Sequence, residues 1–305
     1  AFARRVAKPY FPDKRPLVSI IVPTLNGISH LKRLIPTLSM NTIYNHYEVI
    51  FVDNGSKDGS QKYLSGLGWS NFRLLQSPKP LNFSESNNFG VKHAYGEFLC
   101  FLNNDTMPLY GWLDEMLRTF MEDPKCGIVG ARLIYNFLEN IDKGGDLVYP
   151  GCSVQHDGIH FQFTGERMKG LNMHKYVHPL HPYAYDEIED VPAVTAACLL
   201  TTRKIFDEVG GFCEEYFFGS EDVDFNLKVR QLGYNIKVNR KSLLFHRELS
   251  SQIMYSRIQK AEWRSKNLLV FSRLWENSLR LLYWKEKFHG NKPFWAKDRL
   301  HIAFI

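Results

Sequence analysis

An apolar run that stops abruptly at three polar residues constrains the fold of this chain more than any other stretch. Residues 97–102 read EFLCFL and are followed directly by Asn103, Asn104 and Asp105. A short apolar run bounded by turn residues predicts a buried strand, and open α/β sheets bind ligands at the carboxyl ends of such strands. Asp105 offers the oxygen donors that Mg²⁺ or Mn²⁺ prefers beside substrate phosphates. An Asn-rich turn without a ligand is the alternative interpretation.

Predicted strands and helices alternate on both sides of this run. Hydrophobic periodicity predicts strands at 17–22, 48–52, 72–75, 127–135, 191–201, 234–238 and 243–245, and helices at 29–40, 57–65, 84–95, 110–121, 203–209 and 221–232. Alternation of this kind predicts βαβ units and a largely parallel sheet with right-handed crossovers. Residues 136–185 have weak periodicity, and we expect hairpins or loops that cover the site.

The composition excludes several classes of protein. Hydrophobic residues make up 44% and charged residues 23% of the 305 positions, which is ordinary for a globular protein. The net charge of +6 favours polyanionic partners such as nucleotide diphosphates, but the basic residues form no continuous stripe, so no nucleic-acid partner is predicted. Five cysteines without a CxxC motif indicate a reducing compartment. No signal peptide or membrane-spanning run is visible.

Candidate functional side chains follow several predicted strands. Asp53 could accept hydrogen bonds from a nucleobase or ribose, and His246 has the imidazole of a common metal ligand. Glu221 and Asp222 open a predicted helix after an aromatic segment. Acidic residues there ordinarily interact with the helix dipole, but adjacent apolar surface can raise a carboxylate's pKa until it takes a proton from a hydroxyl. A second metal site would need histidines at a regular ligand spacing. The spacing of the segment Gln155 to Gly158 and of His174, His178 and His181 matches no closed metal site.

A set of motifs in a fixed order resembles family 2 glycosyltransferases over about residues 17–250. The motifs are VSIIVPTLN at 18–26, VDNGSKDGS at 52–60, NFS at 82–84, NNFG at 87–90, FLNNDT at 101–106, VTAAC at 194–198, VGGF at 209–212, EDVDF at 221–225, and His246. The resemblance implies the GT-A fold: a Rossmann-like α/β architecture with a mostly parallel mixed sheet flanked by helices. It also implies inverting sugar transfer from a nucleotide-diphosphate sugar to an acceptor hydroxyl.

The resemblance also implies roles for individual residues. Asp222 would be the general base and Glu221 would position the acceptor, while Asp105 and His246 would hold a divalent cation, Mn²⁺ or Mg²⁺. The nucleotide sugar would be bound by Thr24, Asn26, Asp53, Asn82, Asn88 and Asn104. One position departs from the family pattern, because the metal-binding triplet usually begins with an acid and here begins with Asn103.

The extent of the resemblance and the composition of the flanking segments together predict how the chain is divided. We expect an N-terminal arm at 1–16, a GT-A glycosyltransferase domain at 17–250 and a helical, basic and aromatic C-terminal extension at 251–305. This extension could cap the catalytic domain, dock another module or contact an anionic membrane. Because the chain begins with Ala1, we expect it to be part of a longer multidomain protein.

The expected donor is a UDP- or dTDP-sugar, and the expected acceptor is a growing bacterial surface glycan, capsule or lipopolysaccharide, free or lipid-linked. This acceptor implies a cytoplasmic protein at the inner face of the membrane. One rival is a catalytically silent carbohydrate-binding or assembly module with the same fold, which Asn103 favours. The other rival function is that of a nucleotidyltransferase. Such enzymes have a Gly-rich loop with a basic residue that binds phosphate, and the segment after the first strand of this chain lacks such a loop.

Overall fold

The computed structural model describes residues 15–77, 79–135, 153–163, 167–173, 175, 187–217, 219–247, 256–281 and 283. The predicted N-terminal arm lies outside the described residues except for its last two positions. His174, His178, His181 and much of the predicted 136–185 excursion also lie outside them.

Twelve strands and seven α-helices are described in these ranges. The strands are β1 Val18–Thr24, β2 Tyr47–Asp53, β3 Phe72–Gln76, β4 Phe98–Leu102, β5 Thr106–Pro108, β6 Cys126–Ile134, β7 Val154–His156, β8 Ile159–Phe163, β9 Met168–Asn172, β10 Ile188–Asp190, β11 Cys198–Thr202 and β12 Asn235–His246. The helices are α1 Ile28–Asn41, α2 Ser60–Ser65, α3 Phe83–Lys92, α4 Trp112–Glu122, α5 Arg203–Glu208, α6 Glu221–Gln231 and α7 Arg257–Phe271, which continues into a π-helical turn at Ser272–Glu276.

Ten of the strands form one mixed sheet in the order β10-β12-β6-β11-β4-β1-β2-β3, with β5 paired to β12 and β7 to β6. Strands β4, β1, β2 and β3 are mutually parallel, and β12 is parallel to β6. Strand β11 is antiparallel to both β4 and β6. The predicted mostly parallel mixed sheet is confirmed. The carboxyl ends of β1, β2, β4 and β12 and the start of β11 therefore lie along one edge.

Hydrophobic cores fill both faces of this sheet. Along β1, Ile20 packs in the cluster that contains α1 and α4, whereas Ile21 packs in the cluster that contains α5 and α6. All five residues of β4 are buried, as its unbroken apolar sequence predicts for a central strand covered on both faces. Full burial of side chains of this size contributes about 1.5–3 kcal/mol each.

Two sequence predictions differ from the structure near the site. The predicted strand at 191–201 is a strand only from Cys198, because the preceding residues turn towards α6, where the N–H of Val194 donates to the Asn226 side chain. The two strands predicted at 234–238 and 243–245 form one strand, β12, with an irregularity between Asn239 and Leu243. The Asn239 side chain stabilises this irregularity by accepting the N–H of Lys241 at 2.7 Å.

The described part of the C-terminal extension packs on the rest of the chain. Helix α7 begins with a capping box between Ser256 and Gln259. Beyond it, Trp275 and Leu279 are buried with Phe161, Met168 and Leu227. Among the described residues, no helix combines the length and apolar character needed to cross a bilayer.

We expect Gly130→Ala in β6 to lower the free energy of unfolding by about 1–3 kcal/mol. A Cβ at this position would lie 2.6 Å from the Val194 Cβ, so the two segments would have to separate. Gly66→Ala is the matched control, since a Cβ there has no neighbour closer than 3.5 Å. Urea unfolding of both variants measures the difference, and equal midpoints would contradict the close approach.

Candidate active site

The ends of β1 and β4 are joined by a side-chain hydrogen bond. Asn104 Nδ2 donates to Thr24 Oγ1 over 2.8 Å, and Thr24 is buried. A Cβ on Gly27 would lie 2.6 Å from Asn104 Nδ2 and 2.8 Å from Thr24 Oγ1, so a glycine is needed beside this pair. Two of the predicted nucleotide-binding residues are therefore in direct contact.

Asn26 joins the loop after β1 to the loop after β2. Its backbone φ of 48° lies in the left-handed region, which Asn tolerates better than most residues. Asn26 Oδ1 accepts the N–H of Lys57 over 2.8 Å, and its own N–H donates to Ser56 Oγ over 2.8 Å. The loops after β1 and β2, which both belong to the predicted nucleotide site, thus support each other.

Asp53 is a fully buried carboxylate at the end of β2. Its Oδ2 accepts hydrogen bonds from Gln61 Nε2 at 2.6 Å and from the N–H groups of Ser56 and Gly55 at 3.1 and 3.2 Å. Its Oδ1 is buried and has no hydrogen-bond partner among the described residues. Because an unpaired buried carboxylate oxygen is costly, this atom is suited to accept an N–H or O–H from a ligand.

Asn82 and Asn88 both attach α3 to the segment before α6. Asn82 caps α3 by accepting the N–H of Glu85, and its Nδ2 donates to the Glu214 carbonyl over 3.1 Å. Asn88 donates to the carbonyl of Phe212 and to Glu214 Oε1, each over 2.9 Å. The structure therefore gives both amides protein partners, and their part in a donor pocket stays a prediction.

Asp105 and His246 meet at the same edge of the sheet. His246 Nε2 lies 3.3 Å from Asp105 Oδ1. His246 Nδ1 lies 2.6 Å from Gln155 Oε1, so Nδ1 carries a proton and donates it in this hydrogen bond. In the neutral imidazole, Nε2 then holds the lone pair that a metal ligand needs. No pattern in the sequence indicated that Gln155 would orient His246.

These two side chains fit a divalent cation only together with further ligands. Among the described residues, no group of three or more His, Cys, Asp or Glu side chains surrounds a common point. Asn103 Nδ2 lies 3.5 Å from His246 Nε2, at the position where the family pattern has an acid. One carboxylate and one imidazole leave coordination positions that diphosphate oxygens and water could fill.

Basic side chains line the cleft beside Asp105 and His246. The cleft is also lined by His30, Arg33, Thr106, Met107 and Arg247. Burial lowers the pKa of His30, while the charge of Asp105 acts in the opposite direction. Two guanidinium groups near a single carboxylate give this cleft the charge that suits a diphosphate.

The first turn of α6 carries the two acidic residues predicted to act on the acceptor. Asp222 Oδ2 accepts the N–H of Ala196 over 3.2 Å, and its Oδ1 accepts the N–H of Val223 over 2.8 Å. Glu221 is buried, and desolvation together with the nearby charge of Asp222 raises its pKa to about 8. Glu221 Oε2 has no hydrogen-bond partner among the described residues. Burial of Glu221 beside Asp222 therefore favours the protonated form of its carboxyl group.

Asp224 differs from its two acidic neighbours because its carboxylate is enclosed by protein. It is fully buried, its Oδ1 accepts the indole N–H of Trp275 over 2.8 Å, and its Oδ2 lies 2.7 Å from Lys228 Nζ. This side chain supports α6 and the C-terminal helix.

The backbones of two consecutive residues, Ala196 and Ala197, connect the predicted metal-binding triplet to Asp222. The carbonyl of Ala197 accepts the N–H of Asn103 over 3.0 Å, and the N–H of Ala196 donates to Asp222. The sequence did not indicate that His156 supports this connection: its Nε2 accepts the N–H of Thr195 over 3.2 Å, and burial lowers its pKa. The predicted metal ligands and Asp222 therefore lie close together along one edge of the sheet.

Comparison with known proteins identifies the family. Residues 19–191, more than half of the chain, match the family model described as glycosyl transferase family 2. The chain is 32% identical over 242 residues to the uncharacterized protein y4gI of Sinorhizobium fredii and 30% identical over 243 residues to the O-antigen biosynthesis protein RfbC of Myxococcus xanthus. Each match covers 78% of this chain, which spans only 25% and 18% of the length of these relatives.

A solved structure has a similar fold. The crystal structure of GalNAc-T7 with UDP, GalNAc and Mn²⁺ aligns over 77% of this chain and 44% of its own, with a TM-score of 0.60 and 16% identity. At this identity the likeness concerns the fold alone, and it confirms the predicted GT-A architecture. Together with the family match over residues 19–191, it shows that the chain belongs to glycosyltransferase family 2.

Proposed function

We propose that this chain transfers a sugar, with inversion, from a UDP- or dTDP-sugar to a hydroxyl of a bacterial surface glycan. The observation that carries the proposal is the arrangement along one sheet edge of three chemically different groups: the buried acceptor oxygen of Asp53, the Asp105–His246 pair and the carboxylate of Asp222. The similarity to an O-antigen biosynthesis protein supports a surface glycan as the acceptor. A lipid-linked form of that acceptor would bring the enzyme to the cytoplasmic face of the membrane.

The donor would lie across the ends of β1, β2 and β4. Asp53 Oδ1 would accept a hydrogen bond from the base or ribose, beside Thr24, Asn26 and Asn104. The diphosphate would enter the basic cleft, where Arg33 and Arg247 contribute positive charge. A divalent cation held by Asp105 and His246 would stabilise the negative charge of the departing diphosphate, an effect worth several kcal/mol in general. The solved relative with UDP and Mn²⁺ supports this choice of cofactor.

The acceptor side of the reaction would depend on Asp222. Its carboxylate would take the proton of the acceptor hydroxyl while the acceptor oxygen bonds to the anomeric carbon and the bond from that carbon to the diphosphate oxygen breaks. Attack from the face opposite the diphosphate inverts the anomeric centre. General-base catalysis of this kind contributes about 10²–10⁴-fold. Glu221, in its protonated form, would donate a hydrogen bond to the acceptor.

A catalytically silent carbohydrate-binding module with the GT-A fold is the second candidate function. It is favoured by Asn103, whose amide stands near His246 Nε2 in place of the family's acid. Such a module would bind nucleotide sugar or glycan without turnover, so the measurements below distinguish the two functions.

A thermal-shift screen with UDP, dTDP and GDP tests the donor site. We expect UDP or dTDP with Mn²⁺ to raise the melting temperature by about 5 °C at saturating ligand, and EDTA to reduce the shift. Asp105→Ala should lose the part of the shift that depends on Mn²⁺, because one of two protein ligands is gone, whereas Asp207→Ala on the exposed face of α5 should keep it. If no nucleotide stabilises the protein, the proposal fails.

Asp222→Asn should lower donor hydrolysis and sugar transfer by about 100-fold or more, because an amide cannot accept the acceptor proton. Its nucleotide-induced thermal shift should equal that of the unmodified chain. Asp207→Asn serves as the matched control. Substantial residual turnover would contradict the assignment of Asp222 as the base.

The stability of the folded chain should depend on pH through Glu221. Between the ordinary carboxyl pKa of about 4.3 and the folded value of about 8, the folded state keeps a proton that the unfolded state releases, so stability falls as pH rises. We therefore expect Glu221→Gln to gain in melting temperature, relative to the unmodified chain, from pH 5 to pH 8 and to gain no more above pH 9. Glu208→Gln, a change of an exposed residue on α5, should show no such dependence on pH. If the melting-temperature difference of Glu221→Gln is equally independent of pH, Glu221 is ionised in the folded chain.

A further inference from the structure

Helix α7 binds the turn that immediately precedes the acidic residues of α6. Asn267, on the buried face of α7, accepts the N–H of Phe217 through Oδ1 over 3.0 Å. Its Nδ2 donates to the carbonyl of Gly219 over 2.8 Å. One amide side chain thus satisfies a donor and an acceptor of the same turn, from a part of the chain that follows the last strand of the sheet.

This turn has a backbone that needs support. Gly219 and Ser220 have φ values of 95° and 75°, two successive residues in the left-handed region. A residue with a side chain adopts this region only at a cost in backbone energy, which the surrounding structure must offset. The next two residues are Glu221 and Asp222, so the direction in which α6 starts depends on this turn.

Two further contacts attach the C-terminal helix to both ends of the same region. The ring of Trp263 in α7 lies against the ring of Phe217, with 4.4 Å between the centroids. The indole N–H of Trp275 donates to the buried carboxylate of Asp224. Helix α7 and the π-helical turn that follows it therefore hold the chain before and after Asp222.

We propose that Asn267 is a positioning residue for Asp222 and that residues 257–281 belong to the same catalytic unit as the sheet. The inference rests on the proposed role of Asp222 as the base. Without the Asn267 amide, the N–H of Phe217 and the carbonyl of Gly219 lose their partner, and the left-handed turn relaxes. Displacement of a catalytic group by about 1 Å can cost on the order of 100-fold in rate. Asn267 binds Phe217 and Gly219, whereas the proposed nucleotide site lies at the ends of β1 and β2, so we expect nucleotide binding to change little.

The experiment compares Asn267→Leu, Asn267→Asp and the control Leu269→Ala, a change of an exposed residue on the same helix, in the full chain. Hydrolysis of a UDP- or dTDP-sugar gives kcat and KM, and calorimetry gives the Kd of UDP with Mn²⁺. We expect Asn267→Leu to lower kcat by about 10- to 100-fold while KM and Kd change less than twofold. Asn267→Asp keeps the acceptor for the Phe217 N–H but loses the donor to Gly219. Its kcat should lie between that of Asn267→Leu and that of the unmodified chain. Leu269→Ala should leave all three values unchanged.

Unchanged kcat in folded Asn267→Leu would overturn the inference, as would a parallel loss of kcat, UDP affinity and melting temperature, which a purely structural role predicts. If Asn267→Leu does not fold, Asn267→Asp decides, and full kcat in that variant overturns the inference. The Asp222→Asn variant tests the proposed base independently of Asn267. If Asp222→Asn loses turnover and the Asn267 variants do not, the base assignment stands and only the positioning role fails.

Discussion

The pairing of β11 with β4 is the constraint on which the rest of the site depends. Strand β11 runs antiparallel beside β4 with Cys198 opposite Leu102, so the residues just before β11 lie next to the residues just after β4. This register places the carbonyl of Ala197 against the N–H of Asn103 and leaves Ala196 to bind Asp222. A slip of one residue would turn every side chain of β11 to the other face and separate the two halves of the site.

Much of the fold follows from hydrophobic periodicity. Strands β2 and β4 and the helices between them lie close to their predicted positions. The strands have apolar sequences that are buried within the sheet, and the helices each bury an apolar face against it. The order of the motifs also indicated which side chains would gather at the carboxyl edge. Local pattern is sufficient here because parallel strands joined by right-handed helical crossovers place successive strand ends together.

The contacts that complete the site were not predictable in the same way. Three of these contacts join segments that are far apart in sequence. They are the hydrogen bonds between Gln155 and His246, between His156 and Thr195, and between Asn267 and Phe217. A single Gln, His or Asn has no periodic signature, and its partner is often a backbone group that every residue carries. The joining of two predicted strands into β12 depends in the same way on one side chain, Asn239, whose hydrogen bonds hold the irregularity.

The first turn of α6 carries three acidic residues, Glu221, Asp222 and Asp224, of which the first and third are buried and the second is partly buried. Burying three carboxylates together would be very costly if all were ionised and unpaired, and the helix dipole offsets only part of that cost. Burial raises the pKa of Glu221 and so favours its protonated form, Asp224 pairs with the charge of Lys228 and accepts the indole N–H of Trp275, and Asp222 accepts two backbone N–H groups. Among the described residues, the Asp222 carboxylate is bound by two backbone N–H groups, whereas the Asp224 carboxylate is bound by the side chains of Lys228 and Trp275. The turn therefore accommodates its three acidic residues in three different ways, and the C-terminal helix takes part through the hydrogen bond from Trp275 to Asp224.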